Sequence, residues 1–152
     1  MIIRPATLTD IPGILALVNE HVRRGDLLPR TAESIRSTLS DWLVGEQASA
    51  IVACVSLLYY TPGLAEVRSL AVSDAVKGQG WGRAIVAAII AKAEREQVPT
   101  LFALTRAVHF FEKAGFAITE KDRFPEKVWR DCHVCPLLHH CDETAVILKI
   151  QE

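Results

Sequence analysis

The sequence lacks an excess of charge of either sign, since it has 17 basic and 18 acidic side chains and a formal net charge of −1. Nucleic-acid-binding domains usually carry a basic excess, so this balance argues against a nucleic-acid partner. The chain also lacks any apolar run near the roughly 20 residues that span a bilayer, and residues 1–5 lack the apolar stretch of a secretory signal. We therefore expect a cytoplasmic protein without a membrane partner.

Cysteine is scarce, with Cys54 in an apolar run and Cys132, Cys135 and Cys141 clustered near the end of the chain. Four cysteines in a chain of this length do not form the disulfide framework of a small secreted domain. Three thiolates and a neighbouring histidine could hold a structural zinc ion tetrahedrally. Two alternatives stay open for this cluster: a reversible thiol pair, most simply Cys132 with Cys135, and a packed loop of reduced cysteines.

Half of the 152 residues are hydrophobic, which is enough for the core of one domain. Hydrophobic periodicity and turn residues predict six strands and four helices. The predicted strands cover residues 1–6, 50–60, 64–72, 100–105, 116–120 and 144–150. This order predicts one mixed α/β (α+β) domain over residues 1–152, with a mostly antiparallel sheet flanked by helices.

Several helix ends are marked by residue type. Thr9 and Thr31 are predicted N-caps, and the second of these helices is expected to carry Ile35, Leu39 and Trp42 on one face. Gly115 follows a short predicted helix at 107–114, where a left-handed C-cap is favoured.

A glycine-rich loop separates the predicted strand at 64–72 from a long helix that begins at Trp81. It reads Lys77-x-x-Gly80-x-Gly82, and a helix N-terminus with nearby glycines suits a phosphate or pyrophosphate. A P-loop would need Gly-Lys-Ser/Thr, which Trp81-Gly82-Arg83 does not supply. A dinucleotide-binding fold is also disfavoured, because the preceding strand follows a hairpin.

Two motifs carry a family resemblance. Residues Glu66-Val-Arg-Ser-Leu-Ala-Val72 with the Lys77–Arg83 loop, and Phe110-Phe-Glu-Lys-Ala-Gly-Phe116, resemble the two hallmarks of the GNAT superfamily of N-acetyltransferases. Lys77 stands where that family usually has Arg or Gln. The resemblance implies a single GNAT-like domain with acetyl-CoA as cosubstrate. It implies cofactor-binding roles for Leu70, Ala71, Val72, Lys77, Gly78, Gln79, Gly80, Trp81, Gly82, Arg83, His109 and Phe111.

Glu66 is the candidate catalytic residue. An ammonium substrate has a pKa well above 7, so a base must take its proton before the amine attacks the thioester directly in a ternary complex. Some relatives place a catalytic glutamate at this point. The tyrosine that often serves these enzymes as general acid is replaced by Phe111, which leaves Tyr59 and Tyr60 as alternatives.

The acceptor is suggested by a closer resemblance. Segments around Arg30, Glu66, Arg106 and Lys127 are similar to the acetyltransferase domain of N-acetylglutamate synthases, which acetylate L-glutamate in the first step of arginine biosynthesis. A dicarboxylic amino acid needs cationic partners, for which arginine is well suited. The predicted substrate-binding residues are Arg30, Arg68, Thr105, Arg106 and Lys127.

Other activities stay open from the sequence. The chain could acetylate another small amine or a peptide, although a polycationic acceptor would favour acidic side chains. It could also be an acetyl-CoA-binding sensor without turnover. A homodimer is common among the relatives that the resemblance points to.

Overall fold

The computed structural model describes residues 1–120 and 143–150. Its strands are β1 (Ile2–Pro5), β2 (Trp42–Gln47), β3 (Ala50–Thr61), β4 (Leu64–Val72), β5 (Thr100–Thr105), β6 (Ala117–Thr119) and β7 (Thr144–Lys149). Its helices are α1 (Ile11–Arg23), α2 (Ala32–Ser37), α3 (Trp81–Arg95) and α4 (Val108–Lys113). The strands form one mixed sheet in the order β1-β2-β3-β4-β5-β7-β6. The predicted α/β class is confirmed.

The chain divides into two compact units. Unit 1 comprises Met1–Leu58 and Val67–Lys92, and unit 2 comprises Tyr59–Glu66 and Ala93–Glu152. Strands β3 and β4 each contribute residues to both units.

Unit 1 is built on the antiparallel pairing of β1 with β2 and of β2 with β3. Helix α1 is amphipathic, and the residues spaced to fall on one of its faces are buried in the hydrophobic core. That core contains Ile14, Leu17, Val18, Ile35, Trp42, Val44, Cys54 and Ala71. No helix in the described part of the chain is long and apolar enough to cross a membrane.

Unit 2 is organised around β5. Residues Leu64, Ala65 and Glu66 of β4 pair with it in parallel, and β7 pairs with it antiparallel along its whole length. Helix α4 is followed by Gly115 with a φ of +104°, which confirms the predicted left-handed position.

The expected second helix is wrong in its extent. It ends at Ser37, and Trp42 begins β2. This strand was not predicted, because Ile35, Leu39 and Trp42 have the spacing of a helix. Serine, threonine and aspartate between residues 37 and 41 compete for backbone hydrogen bonds and disfavour a continuous helix. The N-cap at Thr31 is confirmed, since its Oγ1 accepts a hydrogen bond from the Ser34 N–H at 3.0 Å.

Thr9 is not an N-cap. A 3-10 turn at Leu8–Asp10 precedes α1, and Thr7 caps that turn, so Asp10 occupies the position before the helix. The Thr7 N–H donates to Asp10 Oδ2 at 2.7 Å.

Asp10 also anchors an ionic cluster at the start of α1. Arg4 donates to both carboxylate oxygens of Asp10, at 2.7 and 2.9 Å, and to Glu46 Oε1 at 2.8 Å. The Asp10 side chain is only 7% exposed, and its hydrogen bonds with Arg4 lower its pKa from 3.8 to about 2. Bidentate charged pairs of this kind contribute more than ordinary surface pairs.

The Arg4→Gln variant is expected to lose about 2 kcal/mol of unfolding free energy at pH 7, because a pKa shift of nearly two units corresponds to that amount. The depressed Asp10 pKa stabilises the fold fully above about pH 4. This contribution disappears as the pH falls toward 2, so the difference in unfolding free energy between wild type and variant should narrow over that range. Urea denaturation at a series of pH values measures the two unfolding free energies.

Arg36→Gln is the matched control, because Arg36 and Glu33 form an exposed pair at 3.5 Å. This change should cost less than about 0.5 kcal/mol at any pH. An Arg4→Gln effect that stays constant from pH 7 to pH 3 would contradict the assignment.

Candidate active site

Two residues of the glycine loop in unit 1 have backbone conformations that favour glycine. Gly78 and Gly80 have φ values of +82° and +88°, in the left-handed region that favours glycine. The Ala84 N–H is bonded to the Gly80 carbonyl, so the amides of Trp81, Gly82 and Arg83 precede the helical hydrogen-bond ladder of α3. Residues 77–80 are exposed to solvent. An anion can therefore approach the positive end of α3.

Trp81 fixes the first turn of α3 within unit 1. Its side chain is only 2% exposed, and it packs against Gly45 of β2. An ideal Cβ at Gly45 would lie 2.6 Å from Cζ3 and 2.8 Å from Cε3 of Trp81. Because Gly45 has no side chain, the Trp81 indole can pack against it. This packing fixes the position of Trp81, the residue at which the glycine loop ends and α3 begins.

The carboxyl end of β4 is held from two directions in unit 1. His21 Nε2 lies 3.1 Å from the Val72 carbonyl oxygen, so this nitrogen carries the donated proton. The Ser73 N–H donates to the Val52 carbonyl at 2.8 Å. Arg24 pairs with Asp74 just beyond the strand. These contacts fix the backbone that leads into the glycine loop.

Strand β4 departs from regular geometry at Ser69, which is buried and has a φ of +57°. Two buried side chains of β3 hold the carbonyls at this point. Ser56 Oγ donates to the Arg68 carbonyl at 3.2 Å, and Cys54 Sγ donates to the Ser69 carbonyl at 3.4 Å. Burial raises the pKa of the Cys54 thiol to about 12, so the thiol keeps the proton that it donates.

Glu66 lies in unit 2 and is 2% exposed. The Tyr60 hydroxyl donates to Glu66 Oε1 at 2.8 Å. Across the sheet Glu66 is paired with Phe102, whose ring lies 5.7 Å from the Tyr60 ring between centroids. A buried carboxylate with an aromatic hydroxyl donor can accept a proton from a substrate amine, directly or through water.

The other predicted site residues of unit 2 lie where β5 leads into α4. Thr105 is buried, and its Oγ1 accepts a hydrogen bond from the Ala107 N–H at 2.8 Å. Arg106 is exposed, and the His109 side chain is 98% exposed beside Glu112. Phe111 is buried, with its ring edge-on to Phe116 at 5.2 Å. The cofactor roles of His109 and Phe111 stay predictions.

The remaining predicted residues lie either within the described part of the chain or outside it. Arg30 lies in unit 1 just before α2, is partly buried, and donates to the Pro29 carbonyl at 3.3 Å. Lys127 and the cysteine cluster at 132, 135 and 141 lie outside the described residues. Within the described ranges, no group of three or more histidine, cysteine or acidic side chains could hold a metal ion.

Sequence reasoning missed the residues that hold the backbone, and it named Tyr60 only as an alternative acid. Cys54, Ser56 and Tyr60 lie at even spacings along β3, and each donates a hydrogen bond to β4. Polar side chains at even spacings within an otherwise apolar strand are the signal that could have identified them. The sequence gives no comparable signal for His21, because a histidine at this position of an amphipathic helix is expected simply to face solvent.

Comparisons with known proteins show which family this chain resembles. The sequence profile described as "Acetyltransferase (GNAT) domain" matches residues 38–118. An uncharacterised N-acetyltransferase of Chlorobaculum tepidum is 35% identical over 145 residues, which cover 95% of this chain and 94% of that protein. An amino-acid acetyltransferase of Actinobacillus pleuropneumoniae is 32% identical over 82% of this chain.

A solved structure extends the comparison. N-acetylglutamate synthase of Neisseria gonorrhoeae, complexed with coenzyme A and N-acetyl-glutamate, superposes with a TM-score of 0.86 at 27% identity and covers 99% of this chain. This chain spans only 35% of that structure's chain and 29% of the Actinobacillus protein. The similarity to these two proteins is therefore similarity to part of a longer chain.

The Gly45→Ala variant is expected to lose about 1–3 kcal/mol of unfolding free energy, because the added methyl group overpacks against Trp81. Displacement of the indole should also shift the NMR amide resonances of residues 77–83. Gly63→Ala is the control, since the nearest atom to its added Cβ would lie 3.8 Å away. Equal effects of the two substitutions on stability and on these resonances would show that Gly45 does not set the loop.

Proposed function

The chain belongs to the GNAT family of acetyltransferases, and from that premise we propose that it transfers the acetyl group of acetyl-CoA to the α-amine of L-glutamate. As a family member it is an acetyl-CoA-dependent N-acetyltransferase. The proposal adds the acceptor, the residues that bind it and the base. The reaction would be the first step of arginine biosynthesis.

The cofactor part of the proposal depends on the glycine loop. Backbone amides at the N-terminus of α3, next to the exposed residues 77–80 and together with Lys77 and Arg83, suit the pyrophosphate of coenzyme A. The strand residues Leu70, Ala71 and Val72 offer backbone groups to the extended pantetheine arm, as an added strand would use them.

The observation that carries the chemistry is the buried Glu66 carboxylate on the same strand. The amine attacks the thioester carbonyl carbon, the C–N bond forms as the C–S bond breaks, and coenzyme A leaves as the thiolate. The substrate ammonium gives one proton to Glu66 before the attack, and the nitrogen gives its second proton to the leaving thiolate once the C–N bond has formed. Phe111 donates no proton, and the Tyr59 and Tyr60 hydroxyls contact Glu96 and Glu66. The thiolate is therefore proposed to leave without a dedicated acid.

The acceptor assignment is supported by charge and by relatives. Arg30, Arg68 and Arg106 are cations suited to the two carboxylates of glutamate. Lys127 is a fourth predicted cation outside the described residues. The similar proteins include an amino-acid acetyltransferase and a synthase solved with N-acetyl-glutamate.

A thiol-release assay across amine acceptors tests the proposal. Glutamate should give saturable release of coenzyme A with a kcat/KM at least 10-fold above that of glutamine, aspartate or leucine, because only glutamate satisfies both cationic partners at the right separation. Spermidine and a lysine-containing peptide serve as acceptors of the opposite charge. A preference for either of these, or acetyl-CoA binding without turnover on any acceptor, would overturn the assignment.

Removal of a cation should affect one substrate selectively. Arg30→Gln or Arg106→Gln is expected to raise the KM for glutamate by about 10- to 100-fold, since a hydrogen bond to a charged group contributes about 1.5–3 kcal/mol. The KM for acetyl-CoA should change less than about twofold in steady-state kinetics. Arg36→Gln on the exposed surface of α2 is the control. A parallel rise in both KM values would remove these residues from the acceptor site.

A further inference from the structure

The hydroxyl of Tyr60 and the carboxylate of Glu66 form a contact that the proposed reaction does not yet use. We infer that Tyr60 is a positioning residue, which holds the Glu66 carboxylate in one orientation to receive the substrate proton. This inference rests on the proposed role of Glu66 as the base.

The geometry leaves the tyrosine ring little freedom. Tyr60 and Glu66 lie on the two arms of one hairpin, joined by a turn in which the Gly63 N–H donates to Thr61 Oγ1 at 3.1 Å. The Tyr60 ring is half-buried and tilted at 42° against Phe102, which is itself fully buried. The Tyr60 ring therefore packs on β5, the strand that pairs with Glu66, and the Tyr60 hydroxyl donates to Glu66 Oε1.

The chemistry explains what such a donor does. A carboxylate that is buried away from water needs hydrogen-bond donors from the protein. An O–H donor to a carboxylate is among the stronger hydrogen bonds in proteins, and it fixes the rotation of the carboxylate plane. Within unit 2, Tyr60 on β3 donates to Glu66, and Phe102 on β5 packs against the Tyr60 ring. Tyr60 therefore limits the orientations that the Glu66 carboxylate can take.

The adjacent residue supplies a matched comparison. Tyr59 is half-buried like Tyr60, but its hydroxyl contacts Glu96, just beyond α3. The substitutions Tyr60→Phe and Tyr59→Phe therefore remove the same atom from neighbouring positions and leave different carboxylates without that donor.

The experiment uses the full 152-residue chain with ¹³C-labelled glutamate carboxyl groups. The carboxyl resonance of Glu66 is identified by its absence from the spectrum of the Glu66→Gln variant. In Tyr60→Phe its chemical shift at neutral pH should move, because the carboxylate loses a hydrogen-bond donor. In Tyr59→Phe it should stay at the wild-type position. This measurement needs no acceptor.

Kinetics give the second readout. Tyr60→Phe should lower kcat by about 10-fold, because the base is no longer held in one orientation, while the KM for acetyl-CoA stays within about twofold. A variant that was only less stable would lose active protein without moving the Glu66 resonance of its folded fraction. Tyr59→Phe should leave kcat and this resonance at their wild-type values.

The outcomes separate the two levels of the proposal. If the Glu66 carboxyl resonance has the wild-type chemical shift in both Tyr60→Phe and Tyr59→Phe, the positioning role of Tyr60 is overturned. If Glu66→Gln keeps the wild-type kcat, Glu66 is not the base, and the inference about proton transfer falls with it. If glutamate is not an acceptor but the Glu66 resonance moves only in Tyr60→Phe, the acceptor assignment fails and the pairing of Tyr60 with Glu66 stands.

Discussion

Strand β4 carries the constraint on which the other features of the structure depend, because its backbone leaves regular geometry at Ser69. A non-glycine residue with a φ of +57° costs on the order of 1–3 kcal/mol and persists only where its surroundings hold it. The surroundings here are Cys54 and Ser56, whose side chains donate to the carbonyls at the irregularity. Buried carbonyls need such partners, so β3 carries polar residues within a strand that is otherwise apolar.

The same principle extends to the end of β4 and the start of α3. His21 donates to the last carbonyl of the strand, and Gly45 leaves room for Trp81 at the first helical residue. Groups on α1, β2 and β3 thus fix a backbone whose own donors are predicted to bind the cofactor. Backbone donors that are fixed before binding lose little conformational entropy when the cofactor binds.

Local signals in the sequence predicted much of this arrangement. Gly115 has the left-handed backbone predicted for the residue after α4, and Thr31 caps its helix. The strand β2 was missed because Trp42 falls at a helical spacing from Ile35, and the choice between strand and helix there depends on pairing with β1 and β3. The partner of Glu66 was missed for a related reason. Tyr59 and Tyr60 differ only in which side of β3 they occupy, and that depends on strand register.

This contrast between local and distant information also explains why the acceptor is harder to derive than the cofactor. Coenzyme A is predicted to bind backbone groups, which leave a signature of glycines within a short segment. A small amino acid is recognised by side chains, and the candidates at 30, 68, 106 and 127 are far apart in the sequence. As the proposed base, Glu66 would add no selectivity, because any ammonium group can give up its proton to a carboxylate. The proposed preference for glutamate therefore depends on where those cations lie, and it is at these positions that relatives with different acceptors should diverge.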